Sequence, residues 1–419
     1  MKIQEVKEGG GYFLENKTRL NLPILGYTQT ISSSLRIILF SNYSLHKAFL
    51  NLHSQDYFLK GVIERKKNNV YSLTITTPFQ KINKELIVKN ELINSLFLPF
   101  SLNFVPLQKK VTFYIFDPFL EKKMKIILEN KGKRMLKDFK EEGYLVKIDV
   151  EGVEGKIYVD RRGRLLYEEF LGFKFVKENP KDLFQRDISL DTDLIEQFAI
   201  KTQYLPERML ISYLKLKIKG VKREWIREDF NQKVFFAQKE AVVEIKRHIP
   251  YKIKNLPFSR EKFKKYLEEN RFIQFNVPLF KSLAKSLVKD EKNPLVILEK
   301  FFSWIDKNIK KIPTFSVPNS LDTLKMKRGD CAEISALLVG LLRSVGIPSY
   351  VNIGLVYKEG RFFYHAWVSL YVGEWIDTDP ALGQLVADAT HLKLFRGLES
   401  QFEIFKLLNN LKIDILEYR

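Results

Sequence analysis

A single cysteine, Cys331, is all the thiol that 419 residues contain. One cysteine excludes an intramolecular disulfide and a structural zinc site of the multi-cysteine kind. It does not assign a compartment, because disulfide-free chains occur in all of them. Long apolar runs are missing as well. The nearest approach to the ~18 residues of a spanning helix is Leu92–Leu107, uncharged but interrupted by Asn94, Pro99, Asn103 and Pro106. It reads as buried sheet and loop, and no membrane span is expected. The opening residues, Met1 to Glu8, lack the apolar stretch of a signal peptide, so none is visible. Acidic residues are in deficit: 50 Asp and Glu against 70 Lys and Arg leave a formal charge of +20. Such a field suits an anionic surface partner such as acidic lipid, a cell-wall polyanion or an acidic protein; the plainer reading is a solvated lysine-rich surface. The lysines are spread along the whole chain, with no stacked-aromatic RNA motif and no finger spacing, so no nucleic acid is expected.

What is present belongs to a folded, multidomain chain. The 33 Phe and 18 Tyr argue against disorder, and the length argues for two or three domains. Residues 1–180 read as a β-rich domain, with Val70–Thr77 and Val111–Phe116 as strands. Lys156–Val159 and Arg164–Tyr167 read as a hairpin across an Asp160–Gly163 turn. Residues 181–270 read as a second β-rich unit. Leu214–Lys219 alternates strictly, Ala241–Ile245 is another strand, and Pro250–Asn270 serves as a polar linker. From 271 to 419 the period turns helical, through Leu279, Leu283 and Leu287, then Leu295, Leu298, Phe301, Phe302 and Ile305. The C-terminus from His391 mixes strand and helix signals. The fold class is α+β.

The candidate chemistry lies in this last third. Asp330 is a natural helix N-cap, and Glu333 completes a capping-box pattern. Ile334, Leu337, Leu338, Leu341 and Leu342 make one apolar stripe, and Gly346 and Pro348 end the helix. Cys331 therefore sits at a helix start, where partial positive charge and unpaired N–H groups are expected to lower a thiol pKa and could hold an oxyanion. Downstream, Phe362–Val372 and Glu374–Pro380 read as two strands joined at Gly373. His365 lies on the first. Asp377 and Asp379 share a face of the second, and parity leaves either able to orient the histidine. His46, His53, His248 and His391 read as structural.

Gly329-Asp330-Cys331, Gly346-Ile347-Pro348, His365-Ala366-Trp367 and Trp375 leading to Asp379-Pro380 together resemble the transglutaminase-like superfamily. Ser320–Leu324 and the run from Gly383-Gln384 through Asp388 to His391 further resemble a bacterial subgroup with a β-rich N-terminal region, usually exported. Asp379-Pro380-Ala381-Leu382-Gly383-Gln384 departs from that subgroup's text by lacking a threonine after the proline. The resemblance implies a papain-like core of helices packed on an antiparallel sheet. It implies Cys331 as nucleophile, His365 as base and Asp379, rather than Asp377, as orienting acid, with no metal and no cofactor. The implied activity is acyl transfer through a thioester on a protein or peptide substrate, hydrolysis favoured over cross-linking. The Cys331 N–H would be one oxyanion donor, and Trp304 and Asn319 are candidates for a second. The alternative is a non-catalytic envelope-binding or scaffold protein with a vestigial triad.

Overall fold

The computed structural model describes the chain apart from residues 1, 7–10, 25–26, 42–43, 55–56, 88–106, 118–121, 137–140, 161–164, 171–172, 177–195, 197, 207–210, 239, 315–318 and 408–409. It divides into two compact units, Met1–Leu22 with Thr28–Asp191, and Pro23–Tyr27 with Thr192–Arg419.

The first unit is entirely sheet among its described elements. Seven strands from Lys2–Val6 to Lys81–Ile87 lie side by side in sequence order, and six from Lys110–Asp117 to Phe173–Val176 do the same. Each sheet buries alternate residues, as a period of two requires. Ile37, Ile63, Tyr71 and Leu73 form the core of one, and Ile126, Leu128, Val146, Ile148 and Ile157 that of the other. The expected strands fall in Val70–Thr76 and Lys110–Asp117. The hairpin pairs Tyr158 with Tyr167, while most of its turn and of the Leu92–Leu107 stretch lies outside the described residues.

Elements of the second unit are numbered within it. β1 (Tyr213–Lys219), β2 (Gln232–Ala237), β3 (Glu240–Lys246) and β8 (Lys412–Tyr418) form a four-stranded antiparallel sheet in the order β2-β3-β1-β8. The alternation in β1 is complete: Leu214, Leu216 and Ile218 are fully buried, and Lys215 and Lys217 turn outward onto Glu244 and Glu240 of β3. A second sheet runs β5 (Arg361–Tyr371), β4 (Ser349–Lys358), β7 (His391–Arg396), with β6 (Trp375–Thr378) on the free edge of β5. Four helices accompany them: α1 (Pro278–Val288), α2 (Pro294–Asn308), α3 (Ser320–Met326) and α4 (Cys331–Ser344).

One hydrophobic cluster joins these parts. Leu216 and Val243 of the four-stranded sheet, Phe280 of α1, Phe301 of α2, Leu337 of α4 and Val368 of β5 all belong to it. The strands between 213 and 246 thus share a core with the helices rather than owning one. Residues 250–270 are packed too: Lys254 N–H donates to the Val372 carbonyl at 2.7 Å, and the Arg343 guanidinium donates to the Glu268 carbonyl at 2.5 Å.

The free edge of β5 decides where chemistry can occur. Ile200–Lys201 pairs with Phe362 and Arg361 at one end of that edge, and β6 pairs from Val368 to Tyr371 at the other. Between them residues 363–367 keep a ladder only toward β4 among the described strands. That interruption is where the start of α4 arrives.

Candidate active site

Helix α4 begins at Cys331 for the reason its sequence suggests. The Asp330 carboxylate accepts the Ala332 N–H at 2.9 Å, and Glu333 reaches back to the Asp330 N–H at 3.3 Å, a capping box with both halves present. Cys331 is half-buried at the first helical position. The His365 ring and the Ala366 N–H, on the interrupted edge of β5, both favour its thiolate. The thiol is held above its ordinary pKa, by burial first and by the Asp330 carboxylate second, with His365 pulling the other way. The lowered pKa expected from the helix start alone is therefore corrected: desolvation disfavours the thiolate more than the helix end favours it.

The other flank of the imidazole meets a carboxylate. His365 Nε2 lies 2.7 Å from Asp379 Oδ2, with the histidine side chain 8% exposed and the aspartate 0%. Asp379 Oδ1 accepts the N–H groups of Ala381 and Leu382, each at 2.9 Å, which locks the carboxylate's plane. Burial works against a charged imidazole, but Asp379 and Cys331 outweigh it and raise His365 to about 9. Asp379 is held far below the usual carboxylate range, its burial overcome by the imidazoles that contact it. The Cys331–His365 pair titrates as a unit. Loss of one proton leaves a thiolate beside an imidazolium that Asp379 stabilises.

Asp377 has other partners. Its carboxylate meets Lys393 Nζ at 2.8 Å and receives Asn231 Nδ2 at 2.9 Å and Ser369 Oγ at 2.5 Å. Lys393 is 1% exposed and also contacts Asn231 Oδ1 at 2.8 Å and Asp229 at 3.3 Å. Parity puts Asp377 and Asp379 on one face, but Asp377 stands level with Ser369, four strand positions past the histidine. Of the two oxyanion candidates, Asn319 caps α3, accepting the Asp322 N–H at 2.8 Å. Trp304 carries the Lys327 ammonium 4.4 Å above its ring.

Sequence reasoning passed over His391. Its Nε2 lies 3.1 Å from Asp379 Oδ2, the oxygen that also holds His365, and its Nδ1 lies 3.2 Å from Asp388 Oδ1. A signal existed in the Asp388–Thr390–His391 spacing, where one carboxylate can hold both later residues. His365, Asp379 and His391 bring potential metal-ligand atoms within 4.8 Å of one another. Both imidazoles approach a single carboxylate oxygen at hydrogen-bond distance, which engages those nitrogens with the oxygen itself.

A half-buried thiol at a helix start, an imidazole on a sheet edge and a buried carboxylate behind it are thus brought to one place. Residues 281–380 match the family model of the transglutaminase-like superfamily. Cys331, His365 and Asp379 lie inside the match and His391 just beyond it. No curated protein matches the chain. Among solved structures, a candidate cysteine protease from Cytophaga hutchinsonii is 17% identical with a TM-score of 0.35, over 50% of this chain and 86% of that one. A β-barrel-like protein from Brucella abortus is 8% identical with a TM-score of 0.29, over 41% and 84%. A candidate protease from Parabacteroides distasonis is 12% identical with a TM-score of 0.22, over 90% and 70%.

Proposed function

We propose that the second unit is a papain-like, thiol-dependent acyl-transfer enzyme in which Cys331 is the nucleophile, His365 the base and Asp379 the orienting acid. The observation that carries this reading is the His365 ring held 2.7 Å from the buried Asp379 carboxylate, with Cys331 and Asp379 both raising its pKa. The supporting chemistry follows from the atoms. After the pair loses a proton, the Cys331 sulfur adds to an amide carbonyl, and the carbonyl's electron pair moves onto its oxygen. The Cys331 N–H, first in α4 and without an intrahelical acceptor, is placed to receive that charge. As the C–N bond breaks, the departing amine takes the proton on His365 and leaves a thioester. Asp379 keeps the ring oriented throughout.

Water is the acceptor we assign, giving a protease or amidase; a lysine amine in its place would give a cross-link. A chain carrying 51 lysines would be a ready target for its own cross-linking, which favours hydrolysis. The test is intact-mass analysis after mixing with a panel of activated peptide amides and esters. An acyl adduct on Cys331, absent in Cys331→Ala, is expected, and an added primary amine should divert little of it. If no adduct forms anywhere in the panel, the non-catalytic scaffold reading stands instead.

A further inference from the structure

We propose that His391, held by Asp388, is a positioning residue for the Asp379–His365 pair, its positive charge setting the pH at which the Cys331–His365 pair gives up its proton. The proposal rests on the functional reading above. His391 comes from β7, on the far side of β4 from His365, yet both rings converge on Asp379 Oδ2, at 3.1 and 2.7 Å. Their centroids are 6.1 Å apart. The His391 side chain is 1% exposed, and the Trp367 indole packs edge-on against it at 5.1 Å.

Asp388 is built to hold this ring. Its Oδ1 accepts Thr390 Oγ1 at 2.5 Å and the Thr390 N–H at 3.0 Å, and its Oδ2 accepts Gln384 Nε2 at 3.0 Å. Gln384 in turn accepts the Asp388 N–H at 3.0 Å. A buried imidazole between two carboxylates takes the charged form, and His391 is raised to about 9, with burial opposing and the contacts to Asp379 and Asp388 prevailing. The result is a row of alternating charge: His365, Asp379, His391, Asp388. The neighbouring Lys393 is paired with Asp377 and Asp229, and on the helix side the titratable groups are Glu333 and Asp330, whose carboxyl is raised well above its ordinary pKa by burial and by Glu333.

Physical consequences follow for the reacting pair. With four hydrogen bonds on its carboxylate, two from backbone and two from imidazoles, Asp379 can neither rotate nor approach a different partner. Because His391 shares the oxygen that stabilises protonated His365 and carries like charge, it makes the pair easier to deprotonate. Without it, one positive charge fewer opposes the protonated pair, the thiol gives up its proton less readily, and thiolate would form only at higher pH.

The test is the pH dependence of Cys331 alkylation by iodoacetamide, which needs no knowledge of the substrate. His391→Gln keeps an N–H donor but removes the charge. Its alkylation midpoint should move upward by about one pH unit, the scale of a like charge at this separation, with a cooperative thermal melt retained. An unmoved or lowered midpoint in the folded variant overturns the proposal. Should His391→Gln fail to fold, imidazole nitrogen NMR of the wild-type chain at pH 8 decides: two doubly protonated rings, His365 and His391, are expected, and one or none overturns it. Acyl-adduct formation in the wild type is read separately, so loss of the functional reading and loss of this inference are told apart.

Discussion

At the scale of single residues, two aspartates on one face carry opposite expectations. Asp379 contacts His365 directly, and its loss removes the main influence that raises that imidazole. Asp379→Asn should leave the fold largely intact, lower turnover by about 10³- to 10⁴-fold, and bring the His365 titration down toward the ordinary range, read by NMR. Asp377→Asn should do the reverse: little change in the Cys331 alkylation profile, but a loss of roughly 3–5 kcal/mol in denaturant unfolding. It strips Lys393, 1% exposed, of its closest carboxylate. Equal effects of the two substitutions on the alkylation profile would sink this division of labour. Parity in the sequence reached both aspartates and could not separate them, because the choice is made by Lys393 arriving from β7 and by Asn231 from the loop before β2. The buried imidazoles also set a pH dependence of stability. His365 and His391 rise from 6.5 to about 9 on folding. Their contribution is complete below pH 6.5 and is lost as pH climbs through 9. Asp379, held low, contributes above its ordinary value of 3.8 and is lost on acidification. Thermal melts should therefore fall in midpoint between pH 7 and 9.5, and His391→Gln should flatten that fall; a wild-type midpoint rising over this interval would contradict it.

At the scale of elements, the helix that carries the nucleophile was the most legible part of the chain. Asp330, Glu333, the apolar stripe and Gly346, with its positive φ of 84°, each act locally, so the sequence alone placed both ends of α4. The thiol's pKa was not legible, because it depends on burial against β5 and on the charge of the cap. That gives Asp330 two separable roles. Asp330→Asn keeps a good N-cap and removes a carboxylate that raises the thiol. Its alkylation midpoint should move down with stability nearly unchanged. Asp330→Ala should show the same downward shift but lose about 1 kcal/mol of stability with the cap. A midpoint that moves up in Asp330→Asn would refute the electrostatic role. Gly354 illustrates what local patterns miss: a Cβ there would lie 2.0 Å from the Leu392 carbonyl oxygen and 2.8 Å from the Trp367 ring. It lets β4 and β7 approach closely under the indole that packs on His391, a constraint set by residues far apart in sequence.

At the scale of the whole molecule, the open question is which part of the chain suffices for the site. The change from alternating to helical period near Phe275 marks a boundary in pattern and suggested a catalytic domain of 271–419. Periodicity reports which face of each element is buried, not which distant element covers it, and here the cover comes from upstream. β8 takes its place in a sheet by pairing with β1, Ile413 against Ile218 and Ile415 against Leu216. The Gln232 side chain clasps the Lys393 backbone, its amide donating to the Lys393 carbonyl and accepting its N–H, each at 2.8 Å. Asp229 and Asn231 complete the partners of the buried Lys393 ammonium. A fragment of 271–419 would expose the inner face of β8, lose eleven buried residues of one hydrophobic cluster and leave a buried lysine short of two partners. We expect it to be insoluble or to melt without cooperativity, since a buried charge stripped of partners and a truncated core each cost several kcal/mol. A fragment of 192–419 retains all of these contacts and should melt cooperatively, with Cys331 alkylated along the same pH profile as in the full chain. Expression of both fragments, followed by calorimetry and alkylation, decides the matter. A cooperative 271–419 with an unchanged Cys331 profile would restore the boundary near 270 and reduce the strands of 213–246 to an accessory role.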